Sequence, residues 1–164
     1  MKKLMLIRHA KSDWSHAGLS DYDRPLNDRG KRNAPEMAER LKSRGIVPEH
    51  IVSSGAERAR TTALIFAGEM GIADIDFDER IYRASEYDLL KVVNGLPDEL
   101  SFVAIFGHNP TVTELVNHLT GSDIVNMPTC GLALVDIPLD NWAEVSAGTG
   151  DLSLYDYPKN DPDI

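Results

Sequence analysis

The stretch Leu4-Met5-Leu6-Ile7-Arg8-His9 runs through four apolar residues and stops abruptly on two basic ones. So short an unbroken apolar run reads as a strand buried on both faces, the pattern of a parallel sheet covered by helices. Ile51-Val52 and Phe102-Val103-Ala104-Ile105-Phe106 repeat it, and polar residues again follow, Ser53-Ser54 and Gly107-His108. Between these runs the apolar residues recur at helical spacing. Ala34, Met37, Ala38 and Leu41 form one stripe closed by Gly45, and Pro35 inside it predicts a kink or a break into two helices. Ala59, Ala63, Phe66, Ala67 and Met70 form a second stripe, stopped near Gly71. A third helix is expected after Asn109-Pro110, with Asn109 as cap and Pro110 at the first helical position. Val112, Leu115, Val116 and Leu119 give it a buried face, and Gly121 ends it. A shorter helix is expected around Tyr87–Val93 and a strand at Ile75-Asp76-Phe77. Gly131–Ile137 and Trp142–Tyr157 read as two further strands joined by Pro138-Leu139-Asp140-Asn141. Strands alternating with helices specify an α/β sandwich with a mainly parallel sheet.

The chain has 164 residues, 42% of them hydrophobic and 26% charged, enough for one domain with a proper core. Residues 1–156 are expected to form that domain and residues 157–164 a loose tail. Seventeen basic residues against 26 acidic ones leave a net charge of −9, which argues against broad binding to nucleic acid or an anionic membrane. The single Cys130 can form neither an internal disulfide nor a cysteine-based zinc site. With no arginine at the spacing of a cysteine-dependent phosphatase loop, it reads as a small buried apolar residue. Lys2-Lys3 and four apolar residues are too few for a signal peptide, and no run approaches the ~18 apolar residues of a membrane span. A soluble, cytoplasmic protein is expected. His16, His50 and His118 are scattered and no HExxH or CxxC pattern occurs, so neither a metal nor a cofactor is expected. Gly148-Thr149-Gly150 precedes a strand rather than a helix, and a nucleotide-binding loop is excluded.

Ligands of such sheets bind beyond the carboxyl ends of the strands. Three loops qualify. Arg8-His9 follows the first strand, Ser54 follows the second with Arg58 one helical turn on, and Gly107-His108-Asn109-Pro110 follows the strand ending at Phe106. If those strands are neighbours, two arginines and two histidines converge. Arginine forks match phosphate oxygens, helix N-termini add backbone donors, and a neutral imidazole is a nucleophile.

Leu6-Ile7-Arg8-His9-Ala10 resembles the signature of the histidine phosphatase (phosphoglycerate-mutase-like) superfamily, although Ala10 stands where glycine is commoner. Ser54-Gly55-Ala56-Glu57-Arg58-Ala59-Arg60-Thr61-Thr62-Ala63 resembles its second motif, with Gly55 at a position that is commonly proline. Gly107-His108-Asn109-Pro110 resembles the third. The opening Arg8-His9-Ala10-Lys11-Ser12 and the stretch Asp23-Arg24-Pro25-Leu26-Asn27 are similar to the SixA-like phosphohistidine phosphatase branch. The resemblance implies a three-layer sandwich with helices on both faces of the sheet. It also implies a covalent phosphohistidine on His9, with Arg8, Arg58 and His108 holding the phosphoryl oxygens.

Other residues border this set. Ser12 and Arg24 are candidate phosphate ligands, weighed against plain loop solvation. Trp14 and Tyr22 are expected to be packed aromatics near the entrance. In larger members of the superfamily a glutamate protonates the leaving group, and here Glu79 in Asp78-Glu79-Arg80-Ile81-Tyr82 is the candidate general acid. The substrate implied is a phosphorylated one, a phosphohistidine-bearing signalling protein first among them. A small-molecule phosphomonoesterase of the same superfamily and a non-catalytic phosphate-binding module are the alternatives.

Overall fold

The computed structural model describes residues 1–160, and in it the apolar runs become the strands β1 (Lys2–Arg8), β2 (His50–Ser53), β3 (Ile75–Phe77), β4 (Phe102–Gly107), β5 (Leu132–Ile137) and β6 (Asp151–Asp156). They form one sheet in the order β3-β2-β4-β1-β5-β6. The first four in that order run parallel, whereas β5 is antiparallel to β1 and β6 to β5. Four helices cover it: α1 (Asp28–Ser43), α2 (Glu57–Met70), α3 (Glu86–Asn94) and α4 (Thr111–Thr120).

Alternation along the strands splits the core in two. Met5, Ile7, Ile51, Ala104 and Phe106 face α1 and α2, against Met37, Leu41 and Phe66. Leu4, Leu6, Val52, Val103 and Ile105 face α3 and α4, against Leu89, Leu115, Val116 and Leu119. Each large side chain buried in these layers stabilises the fold by about 1.5–3 kcal/mol. The result is the expected three-layer α/β sandwich, mainly parallel, with an antiparallel pair added at one edge.

Three local expectations are corrected. Helix α1 runs unbroken through Pro35, because its buried residues Ala34, Met37, Ala38 and Leu41 pack as one stripe on both sides of the proline. The carbonyl that Pro35 cannot bond belongs to exposed Lys31, where water can reach it. Helix α4 begins at Thr111 rather than Pro110, which flanks it. The cap position accordingly falls on Pro110 and not on Asn109, which from one residue earlier accepts through Oδ1 from the Thr113 hydroxyl at 2.9 Å and from the Thr113 amide at 3.3 Å. Of the strand expected over Trp142–Tyr157, only Asp151–Asp156 is strand; Trp142–Glu144 is a 3-10 turn. The indole of Trp142 is fully buried, and its Nε1 donates to the Leu100 carbonyl at 2.9 Å. An inward plug of that size replaces strand pairing with core packing.

At the chain's end, Arg40 donates to the carbonyls of Tyr157 and Pro158 and forms an ion pair with buried Asp156 at 3.1 Å. Residues 161–164, within the expected tail, lie outside the described residues. No helix of the described residues is long and apolar enough to cross a membrane.

The long loop after β1 folds back on the start of α1. Asp13 N donates to Pro25 O at 2.8 Å, Asn27 N donates to Lys11 O at 3.0 Å, and Ser12 bridges Leu26. Gly30, in the first turn of α1, sits directly against this ladder, and a Cβ there would collide with the Lys11 carbonyl. Gly30→Ala is therefore expected to destabilise the protein by about 1–3 kcal/mol, the usual cost of overpacking. The measurement is a lowered urea midpoint at unchanged m-value.

Candidate active site

The register of β1 on β4 sets Arg8 opposite Gly107, and the His9 amide donates to the Gly107 carbonyl at 3.1 Å. His9 and His108 therefore leave neighbouring strands side by side, with ring centroids 5.2 Å apart. On the other flank of β4, Ser54 N donates to Phe106 O at 3.1 Å, and α2 starts just beyond with Arg58 in its first turn. Arg8, His9, Ser12, Arg24, Arg58 and His108 line one cavity of about 200 Å³. The three loops expected to converge do so.

His9 is 7% exposed. Its Nδ1 lies 2.7 Å from the Ala10 carbonyl, which can only accept, so Nδ1 carries the hydrogen and Nε2 keeps its lone pair. Nε2 has no hydrogen-bond partner among the described residues. Burial pushes the ring down to about 3 against the opposing pull of the Ala10 carbonyl, and His108, Arg58 and Arg8 add smaller downward pushes. Thr62 supports this geometry from α2: its hydroxyl accepts from Ala10 N at 3.0 Å and donates to Arg58 O at 2.7 Å. The ring is thus neutral, oriented and nucleophilic at neutral pH.

Around it stand cations fixed by their outer edges. Arg8 Nη1 donates to the Met127 carbonyl at 2.8 Å. Arg58 Nη1 donates to the Asp21 carbonyl at 2.7 Å and Nη2 to its carboxylate at 3.0 Å. Arg24 reaches the same carboxylate through Nη2 at 3.0 Å and donates through Nη1 to Ser12 Oγ. The buried Nε atoms of Arg8, Arg24 and Arg58, and Nδ1 of His108, have no partner among the described residues. His108 Nε2 pairs with Ser54 Oγ at 2.9 Å, and burial pushes its ring down to about 4. Ser54 Oγ also accepts from Ala56 N at 3.2 Å, which ties the hydroxyl beside His108 to the start of α2. Three arginines and two histidines thus line one small cavity, and the guanidiniums give it the positive charge and N–H donors that suit an oxyanion.

Glu79 is not in this cavity. Its exposed carboxylate accepts the Tyr22 hydroxyl at 2.8 Å and lines a neighbouring groove with Gly55 and Arg60. Tyr82, from the same stretch, packs against His108 behind the lining, with ring centroids 5.6 Å apart. Tyr82 donates to Asp21 at 2.6 Å, and this bond, with Arg24 and Arg58, holds the Asp21 carboxyl well below the usual carboxylate range. Asp21 and Tyr82 are the participants that the sequence reading missed. Asp21 lies two residues before the Asp23–Asn27 stretch and Tyr82 closes the one around Glu79. Trp14 is exposed and lines this cavity, at the entrance but not as a packed aromatic, while Tyr22 is half-buried. Each remaining histidine is within ion-pair distance of a carboxylate: His16 of Asp13, His50 of Asp74 and Asp76, and His118 of Glu86. Cys130 is fully buried, and burial pushes its thiol up to about 12.

The family profile described as histidine phosphatase superfamily (branch 1) matches residues 4–89, more than half of the chain. The chain belongs to the histidine phosphatase superfamily. A solved structure from Agrobacterium tumefaciens that carries the name phosphohistidine phosphatase SixA is 29% identical, with a TM-score of 0.82 over 96% of this chain and 98% of that one. Another of that name, from Nakamurella multipartitia, is 25% identical with a TM-score of 0.79 over 96% of each chain. An uncharacterized chloroplastic protein of Arabidopsis thaliana is 31% identical over 160 residues, covering 91% of this chain and 72% of that protein.

An ordinary imidazole takes up a proton near pH 6.5. With folded-state values of about 3 and 4, His9 and His108 should remain neutral at pH 5.5. The unfolded chain takes up those protons first, so their contribution to stability falls as pH drops below about 6.5. Nitrogen-15 NMR titration of the two rings tests this, and protonation of His9 above pH 5 would contradict it.

Proposed function

We propose that this protein is a phosphatase that passes phosphate through a covalent phosphohistidine on His9 and takes it from a phosphorylated histidine on another protein. The observation that carries the reading is the lone pair of His9 Nε2 in a cavity that Arg8, Arg58 and His108 line. His9 Nε2 attacks phosphorus, forming one P–N bond as the bond to the leaving imidazole breaks. Arg8, Arg58 and His108 hold the equatorial oxygens, where the transition state gathers charge, and Ser12 and Arg24 flank them. Water then attacks the phosphohistidine, releasing inorganic phosphate and restoring His9. Arginines supply the positive charge, so no metal is needed.

The leaving group is chosen by what the wall lacks. The described residues lining the cavity include no carboxyl group, and nearby Asp21 is kept ionised by Tyr82, Arg24 and Arg58. An alkoxide needs a positioned acid. The imidazole of a phosphohistidine takes its proton on the second nitrogen near neutral pH and leaves as a neutral ring. The two SixA-named structures support the same substrate class. The proposed partner is a phosphohistidine-bearing signalling protein of the cytoplasm.

Incubation with a protein carrying labelled phosphohistidine should leave an acid-labile, base-stable label on the enzyme, absent from His9→Ala. Arg58→Ala should cost about 2–4 kcal/mol in kcat/KM, the loss of one preorganised donor. Treatment with EDTA should leave turnover unchanged. Labelling that survives in His9→Ala, or alkyl phosphates cleaved faster than phosphohistidine, would overturn the proposal.

A further inference from the structure

Trp14 is 74% exposed, yet it is the aromatic side chain of the cavity that holds His9. One face of its ring lies on the Arg24 guanidinium, 3.5 Å from Cζ to the ring centroid. Arg24 is itself only 8% exposed and tied to Ser12 and Asp21, so the ring rests on a fixed support. The backbone on either side is fixed as well. Asp13 N donates to Pro25 O at 2.8 Å, and Asp13 Oδ1 accepts from the amide and hydroxyl of Ser15 at 2.7 and 2.6 Å. An indole left in water costs free energy, and here a rigid loop and a cation hold it there without covering its second face.

In-line displacement defines what meets that face. His9 is 7% exposed and Trp14 74% exposed in the same cavity, so a group that leaves in line, opposite the buried His9, departs toward the exposed rim to which Trp14 belongs. We propose that Trp14 is the stacking platform for the leaving imidazole, a specificity residue that favours phosphate on an aromatic nitrogen over phosphate on a small amine. The inference rests on the phosphohistidine reading above. A flat ring gains contact area on the indole, and a protonated imidazole gains cation–π attraction too. Phosphoramidate carries the same P–N bond but releases ammonia, which has no ring to stack.

The test compares kcat/KM on phosphohistidine and phosphoramidate for wild type, Trp14→Ala and Trp14→Phe. Trp14→Ala should shift the ratio by about tenfold toward phosphoramidate, through KM rather than kcat, and Trp14→Phe should retain most of the preference. An unaltered ratio, or an equal loss on both substrates with no rescue by phenylalanine, overturns the platform. A binding readout stands apart from turnover. Trp142 is fully buried, so acrylamide quenching reports on Trp14. Vanadate with imidazole should protect Trp14 more than vanadate alone. Vanadate binding with no added protection by imidazole overturns the platform and leaves the phosphate site standing. A wild type that cleaves phosphomonoesters but neither P–N substrate overturns the phosphohistidine reading. The platform then stands if Trp14→Ala selectively loses phenyl over methyl phosphate, and falls if it does not.

Discussion

The parallel pairing of β1 with β4 is the constraint on which the rest depends. Setting Arg8 opposite Gly107 fixes where both strands end, and so places two imidazoles and a guanidinium at the carboxyl ends of the two central strands before any side-chain interaction is made. The fit is tight: a Cβ on Gly107 would sit 3.1 Å from Val112 Cγ2 and 3.3 Å from Ile81 Cγ2, so the end of β4 lies almost bare against its neighbours. A slip of one residue would exchange the two faces of β1, sending Met5 and Ile7 into the layer of Leu4 and Leu6. The hydrophobic pattern thus enforces the geometry of the polar site.

Several cations in one small cavity repel each other, and burial adds a desolvation cost. The fold answers by binding their outer edges. Asp21 takes two guanidiniums and a tyrosine hydroxyl, and the Met127 carbonyl takes the third guanidinium. The guanidiniums are then positioned by the structure and not by the ligand, so little reorganisation remains when an oxyanion arrives. Burial, to which the same cations add, keeps the imidazoles uncharged, which is the form that can attack.

Much of this was readable in the chain because it is local. Buried runs named the strands, and the residues following three of them named His9, Arg58 and His108. What escaped reading depends on contacts distant in sequence. Asp21 meets Arg58 and Tyr82 across 37 and 61 residues, and nothing in the composition of either stretch announces the pairing. Glu79 and Tyr82 stand three residues apart, on the same side of a 3-10 turn and both against Tyr22, yet of the two it is Tyr82 whose ring packs on His108. Gly55, unusual beside the common proline, has a spatial reason: any Cβ there would meet the Tyr22 hydroxyl and the Glu79 carboxylate. Trp142 looked like strand sequence because β-propensity reports a half-buried surface, not whether the ring will be taken into the core.

Cys130 has φ of +61°, and its amide donates to the carbonyls of Arg8 and His9 at 3.1 and 3.0 Å. Its thiol is fully buried beside the turn that carries His9, and burial holds it protonated. Phosphatases that attack through a thiolate are silenced by peroxide, because the atom that reacts with phosphorus is also the atom that oxidises. In the mechanism proposed above the attacking atom is a nitrogen, and the one cysteine of the chain is shielded from solvent. A phosphatase working through His9 would lose no nucleophile to peroxide, so the proposed activity would outlast oxidative conditions that silence thiolate enzymes.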